Sequence, residues 1–230
     1  MGYLAVIPAR GGSKRIPHKN IKDFLGKPII AYSIETALAS GLFDDVIVST
    51  DDEEIADVAL SFGAKVPYLR DSRLADDFVG TYEVIYDVYK REIDSGRSID
   101  GVCCIYATAP LLNVFHLKKA FESFVHLKAD SLTCVCEFPF PIQRAFIIND
   151  KGCLKYREPE NAPKRSQDLE KCYQDCGMFY MYSQEYLENR STKKNIPYFM
   201  PRHRVIDIDT MEDWNYALAM AKVIGELSLE

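Results

Sequence analysis

Tyr3-Leu4-Ala5-Val6-Ile7-Pro8-Ala9-Arg10-Gly11-Gly12-Ser13-Lys14-Arg15-Ile16-Pro17-His18-Lys19-Asn20 begins as a short apolar run and turns into a basic, glycine-bearing loop. Four to five consecutive apolar residues bounded by Pro8 read as a buried strand. The carboxyl end of such a strand is where open α/β sheets bind ligands. Residues 1 to 22 hold five Lys or Arg and no Asp or Glu, in a chain whose formal net charge is -6. Gly11 and Gly12 let backbone N–H groups approach an anion closely. Arg10, Lys14, Arg15 and Lys19 supply the charge that a triphosphate attracts. The spacing excludes a Walker loop, which needs G-x-x-x-x-G-K-[ST], and a dinucleotide fingerprint, which needs G-x-G-x-x-G. The residues alone leave a phosphate loop and a solvated basic turn both open.

Outward from this loop the pattern alternates between strand and helix. Pro28 suits the first turn of a helix with apolar positions Ile29, Ile30, Ile34, Ala37 and Leu38, stopped by Gly41. Asp45–Ser49 reads as a second strand. Asp51 reads as the cap of the next helix, with Glu54 as its capping-box partner and Gly63 as its end. Lys65–Tyr68 reads as a third strand, Thr81 to about Ser95 as a helix, and Gly101–Tyr106 as a buried strand. A helix near Val114–Leu127 and a strand at Ser131–Glu137 follow. Alternation of this kind predicts an α/β fold, with a mainly parallel sheet flanked by helices.

Residues 138–170 break the pattern. Pro139, Pro141 and a hairpin signal at Asn149-Asp150-Lys151-Gly152 mark Phe138–Glu160 as an arm inserted into a single domain spanning 1–230. Such an arm either packs on a second subunit or covers its own core. The chain is expected to rejoin the sheet at Gly177–Tyr182 and Arg204–Ile208, then to form a helix from Thr210 to about Leu227.

Asp207-Ile208-Asp209-Thr210 is the second chemical signal. On a strand, the two-residue spacing puts both carboxylates on one face. Two carboxylates suit Mg²⁺, which takes few protein oxygens beside waters and phosphates. A helix-capping role for one Asp is the alternative, and Thr210 with Asp213 already has the form of a capping box.

Composition narrows the class. With 47% hydrophobic and 27% charged residues, the 230-residue chain is an ordinary globular sequence. Its negative balance argues against nucleic-acid binding by bulk charge. No apolar run approaches the roughly 18–20 residues of a membrane span, and Tyr3–Ile7 is too short for a signal-peptide core. Cytoplasmic residence with free thiols is expected of the seven cysteines. Cys134-x-Cys136 and Cys172-x₃-Cys176 lack His partners at zinc spacing and read as structural thiols. Trp214 reads as packing on the last helix, and Asp51-Asp52-Glu53-Glu54 as an acidic run that favours a helix dipole.

Together, the loop and the aspartate pair resemble the CMP-sialic acid synthetases (acylneuraminate cytidylyltransferases). Ile7–Asn20 is similar to their I-P-A-R-x-G-S-K-x-x-P-x-K-N signature, and Asp207–Trp214, D-I-D-T-x-E-D-W, to their metal-binding segment. Ser49-Thr50-Asp51-Asp52, Tyr68-Leu69-Arg70, Leu74-Ala75-Asp76-Asp77 and Thr108-Ala109-Pro110 extend the resemblance almost end to end. Cys103–Pro110, Glu137–Arg144 and Arg165–Glu170 are most similar to the branch of the family that activates pseudaminic acid. Enzymes for N-acetylneuraminate usually carry Gln and Arg where this chain has Tyr106 and Leu112.

The resemblance implies a Rossmann-like nucleotide-diphosphosugar transferase fold. It implies transfer of CMP from CTP to a nine-carbon keto-acid sugar, with Mg²⁺, in a homodimer whose arm reaches the partner's site. By the same resemblance, Arg10 and Lys19 contact phosphates with the Ala9 to Lys14 backbone, including Gly11, Gly12 and Ser13. Asn20 and Arg70 place the nucleotide, and Thr81 faces the base. Asp207 and Asp209 hold metal; Arg10, Lys19 and Asp209 form the catalytic set. Tyr106, Arg165, Gln167 and Tyr173 meet the sugar. The other readings are the same reaction on legionaminic, N-acetylneuraminic or an eight-carbon acid, a non-catalytic nucleotide-binding regulator, and a structural subunit.

Overall fold

The opening apolar run forms β1 (Tyr3–Pro8), and Leu4, Ala5, Val6 and Ile7 are completely buried. The computed structural model describes residues 2–76, 79–190 and 193–227. After β1 come a hairpin of β2 (Asp23–Phe24) and β3 (Lys27–Pro28), α1 (Ile29–Ser40), β4 (Asp45–Ser49) and α2 (Glu53–Ser61). There follow α3 (Thr81–Asp94), β5 (Gly101–Ile105), α4 (Val114–His126) and β6 (Ser131–Glu137). The arm carries β7 (Phe146–Ile148) and β8 (Leu154–Tyr156); then come β9 (Tyr173–Ser183), α5 (Gln184–Asn189), β10 (Asn195–Phe199) and α6 (Met211–Leu227).

The main sheet has six strands in the order β10-β6-β9-β5-β1-β4. Its neighbours pair in parallel except around β9, which runs antiparallel to both β5 and β6. This is the expected Rossmann-like α/β architecture. Strand alternation divides the core between two faces. Ala5, Ile7, Cys103 and Ile105 pack with α1, α2 and α4, whereas Leu4, Val6, Val102 and Cys104 pack with α3 and α5. A third cluster of Ile16, Phe24, Ile29, Ile208, Trp214 and Ala217 ties α6 to the basic loop. Trp214 is packing, as expected, with its ring edge-on to Phe24 at 5.5 Å. Cys103, Cys104, Cys134, Cys136 and Cys176 are buried free thiols.

Three local expectations fail for identifiable reasons. Lys65–Tyr68 contributes only a single bridge, Lys65 to Ile47, because Pro67 removes the next donor. Arg204–Ile208 makes no ladder; the edge strand is β10, where Pro197 is tolerated. The cap of α2 is Asp52 rather than Asp51: its carboxylate accepts from the Ile55 amide at 3.1 Å. The stops at Gly41 and Gly63 are as expected, both with positive φ. The β2–β3 hairpin and α5, each too short to show a period, are additions.

The arm's turn forms as the sequence predicts, with Asn149 Oδ1 accepting from the Lys151 and Cys153 amides and Gly152 at φ 73°. Phe140, Ile148 and Leu154 are 79%, 71% and 67% exposed, so these side chains do not cover the chain's own core. Among the described residues no helix is long and apolar enough to cross a membrane.

Candidate active site

At the carboxyl ends of β1, β4 and β5 the sheet opens into a cleft of about 600 Å³. Its wall includes Arg10, Ser13, Lys14, Lys19, Asn20, Arg70, Thr81, Tyr106 and Asp209, all singled out from the sequence. The glycine loop is built by backbone bonds: the Ala9 amide donates to Ser49 O at 2.9 Å and the Ser13 amide to Gly11 O at 2.8 Å. Ala9 is itself buried beneath the loop, and Asn20 holds the turn by donating from Nδ2 to Arg10 O at 2.9 Å. A Cβ at Gly11 would collide with the Asp52 side chain, whereas one at Gly12 would meet open space. Gly11 is therefore required by close approach, and Gly12 leaves its backbone accessible.

Lys19 links the loop to the far end of the cleft. Its Nζ donates to Ile208 O at 2.6 Å and lies 3.5 Å from Asp209 Oδ1, which also pairs with Arg15 Nη2 at 2.8 Å. Arg10 reaches across the mouth to Asp76 O at 3.1 Å. On the opposite wall the Thr81 hydroxyl meets the Tyr106 hydroxyl at 2.9 Å. Leu74, Val79 and Val84 make this end apolar beside the buried Arg70. One end of the cleft is thus formed by the basic loop and the other by apolar side chains beside Arg70, with Arg10 reaching between them, a division that suits a nucleoside triphosphate.

A family model described as cytidylyltransferase matches residues 4–215. The chain belongs to the cytidylyltransferase family. It is 47% identical over 229 residues to a pseudaminic acid cytidylyltransferase of Campylobacter jejuni, covering 98% of this chain and 99% of the relative. It is 33% identical over 242 residues to a CMP-N,N'-diacetyllegionaminic acid synthase of Legionella pneumophila, covering 100% of this chain and 99% of that protein. Among solved structures, a CMP:2-keto-3-deoxy-manno-octonic acid synthetase complexed with CTP superposes with a TM-score of 0.70 at 18% identity, over 96% of this chain and 99% of that one. At that identity the likeness speaks for the fold. The protein is therefore a nucleotidyltransferase.

In this cytidylyltransferase the aspartate pair sits in irregular backbone rather than on a strand. Thr210 and Asp213 form the expected capping box of α6: Asp213 Oδ2 accepts from the Thr210 amide at 2.7 Å, and Thr210 Oγ1 accepts from the Asp213 amide at 3.3 Å. Asp213 Oδ2 also accepts from the Asp209 amide at 3.1 Å, which fixes the backbone of the pair. Asp207 rests against Gly177, whose left-handed φ of 58° brings the backbone close. Burial, and then the charge of Asp209, push the Asp207 carboxyl above the usual range. A buried carboxylate beside a second one is a donor set that suits a divalent cation.

Three expected sugar contacts lie outside this chain's cleft. Arg165 is exposed on the arm and paired with Asp168 at 2.7 Å, and Gln167 lines a separate hollow with Phe138 and Leu169. Tyr173, at the start of β9, packs edge-on against Phe199 at 5.1 Å. The sequence reading missed Asp51, whose Oδ1 accepts from the Gly11 amide at 3.1 Å and lies 3.5 Å from Arg70 Nη2. The available signal was its place directly after β4, the counterpart of the loop after β1. The tyrosine pair behind Tyr106 was also missed: Tyr180 packs against it at a tilt, with ring centroids 5.5 Å apart, and donates to Asp175 Oδ1 at 2.7 Å.

Proposed function

We propose that this cytidylyltransferase transfers CMP from CTP to the anomeric hydroxyl of pseudaminic acid, releasing pyrophosphate. The end-to-end 47% identity to the Campylobacter jejuni pseudaminic acid enzyme carries the reading. Tyr106 and Leu112, in place of the Gln and Arg usual for N-acetylneuraminate, support a different sugar pocket. The Gly12, Ser13 and Lys14 segment, with Arg10 and Lys19, receives the phosphates. Arg70 and Thr81, with Leu74 and Val84, receive the base; Asn20 keeps the loop closed on them.

The anomeric oxygen forms a bond to the α-phosphorus as the bond from that phosphorus to pyrophosphate breaks. Transfers of this type depend on alignment and neutralised charge more than on covalent help from the protein. The described lining holds no histidine. Mg²⁺ fits Asp207 and Asp209, and when bound supplies positive charge to the triphosphate. Lys19 fixes the Ile208–Asp209 backbone and offsets the Asp209 charge, so the carboxylates stay in place whether or not substrate is present. Arg10, tethered to the Asp76 carbonyl, closes the mouth above the phosphates.

The exposed Phe140, Ile148 and Leu154 support a homodimer in which each arm covers its partner. In that assembly Arg165, Gln167 and Tyr173 serve a neighbouring cleft. Seven free thiols support the reducing cytoplasm as its place of work. The test is pyrophosphate release with CTP and Mg²⁺, offering pseudaminic, legionaminic and N-acetylneuraminic acids separately. Release with pseudaminic acid alone is expected. Release only with another of these acids overturns the substrate, and release with none overturns the reading.

A further inference from the structure

Asp51 has the sequence position of a helix cap, and the structure gives that task to its neighbour. With Asp52 bonded to the Ile55 amide, the Asp51 carboxylate turns instead to the Gly11 amide and to Arg70, and Arg70 lines the cleft. One oxygen, Oδ1, serves two donors from distant parts of the chain: the Gly11 amide at 3.1 Å and Arg70 Nη2 at 3.5 Å. The backbone around it makes the same connections, since Ser49 O accepts from the Ala9 amide at 2.9 Å and Thr50 O from the Arg70 amide at 2.7 Å. The end of β4 is thus a junction between the glycine loop and the segment that carries Arg70.

Arg70 makes that junction matter. Its side chain is 3% exposed, and its Nε is buried with no partner while the residue lines the cleft. A desolvated guanidinium is costly to hold unless an anion faces it. Burial pushes its pKa down, Asp51 opposes that, and the nearby Arg10 charge adds to it. An acceptor entering the cleft from substrate completes the set that Asp51 only half satisfies.

We propose that Asp51 is a positioning residue for the nucleotide, holding the Gly11 amide of the loop in register with the Arg70 guanidinium that lines the cleft. The proposal rests on the reading of this cleft as the triphosphate site and is independent of which sugar is used. Removing the carboxylate frees the loop amide and takes from the buried Arg70 its larger anionic influence, leaving the smaller one of Asp87. Asp51→Asn keeps an oxygen for the Gly11 amide but loses the charge opposite Arg70.

The experiment is calorimetric titration of the full chain with CTP and Mg²⁺ in the absence of sugar, for wild type, Asp51→Ala, Asp51→Asn, Arg70→Ala and the Asp51→Ala/Arg70→Ala double variant. Asp51→Ala is expected to weaken CTP binding about tenfold and Asp51→Asn about threefold, as for loss of a hydrogen bond to a charged group. In the Arg70→Ala background the Asp51→Ala effect is expected to shrink to below about twofold, the non-additivity of groups that act together. The KM for the sugar stays near wild type, and each titration is run below the variant's melting temperature, which Asp51→Ala lowers by leaving the buried Arg70 charge less compensated. Unchanged CTP affinity in Asp51→Ala, or full additivity with Arg70→Ala, overturns the proposal and leaves the proposed function standing. A wild-type protein that binds no CTP overturns both.

Discussion

Asp51-Asp52 at the start of α2 and Asp209 with Asp213 at the start of α6 each divide the same labour. One acid closes the helix: Asp52 takes the Ile55 amide, and Asp213 takes the Thr210 amide. The other faces cations: Asp51 lies 3.5 Å from Arg70, and Asp209 lies 2.8 Å from Arg15 and 3.5 Å from Lys19 of the loop. What differs is the company. Asp51 stands among donors only, the Gly11 amide and a buried guanidinium. Asp209 has a second carboxylate, Asp207, close enough to raise that group's pKa. A carboxylate engaged by protein donors organises those groups, whereas the Asp207 and Asp209 pair is the one we propose takes Mg²⁺.

The largest break in this comparison is Asp209→Ala. Pyrophosphate release is expected to fall about 100- to 1,000-fold in a protein that still folds, the scale of losing a preorganised charge at a phosphoryl centre. Activity near wild type removes Asp209 from the site. Lys19→Ala disturbs the same end less directly. We expect about a 10- to 100-fold loss in kcat/KM for CTP, because the contact removed is a charge-assisted one. Arg165→Ala tests whether the arm belongs to either side of the comparison. It should raise the KM for the sugar about tenfold and leave CTP binding alone; an effect confined to CTP would sink the arm's role. The smallest effects belong to the capping acid. Asp52→Ala should cost about 1 kcal/mol of stability by denaturant melting and leave the KM for CTP within about twofold. A large kinetic defect there would erase the distinction between Asp51 and Asp52.

These same residues show what a sequence can carry. The loop after β1 was legible because inverted charge, two glycines and a strand end coincide within one short segment. The parallel sheet was legible because buried strands and amphipathic helices alternate over most of the chain. The Asp51 assignment was not, because two adjacent acids before a helix satisfy the capping pattern equally. Only the direction of each side chain separates them, and that is set by Gly11 and Arg70, 40 and 19 residues away. Asp207 and Asp209 were identified as a pair on a strand that does not exist. The α6 cap that fixes Asp209 was legible as a capping box, but the approach of Asp207 to Gly177, 30 residues earlier in the chain, is encoded by no spacing rule. The place of β10 was hidden by Pro197, which weakens a strand signal unless the strand is known to be an edge. Arg165 and Gln167 carry an arm sequence whose surroundings lie outside a single chain's cleft.

The most direct measurement is ³¹P NMR of CTP and pseudaminic acid with the wild-type enzyme and Mg²⁺. The account predicts that the triphosphate signals give way, one for one, to a single CMP-sugar phosphodiester resonance and inorganic pyrophosphate. Persistence of CTP, or release of orthophosphate with CDP, would contradict it.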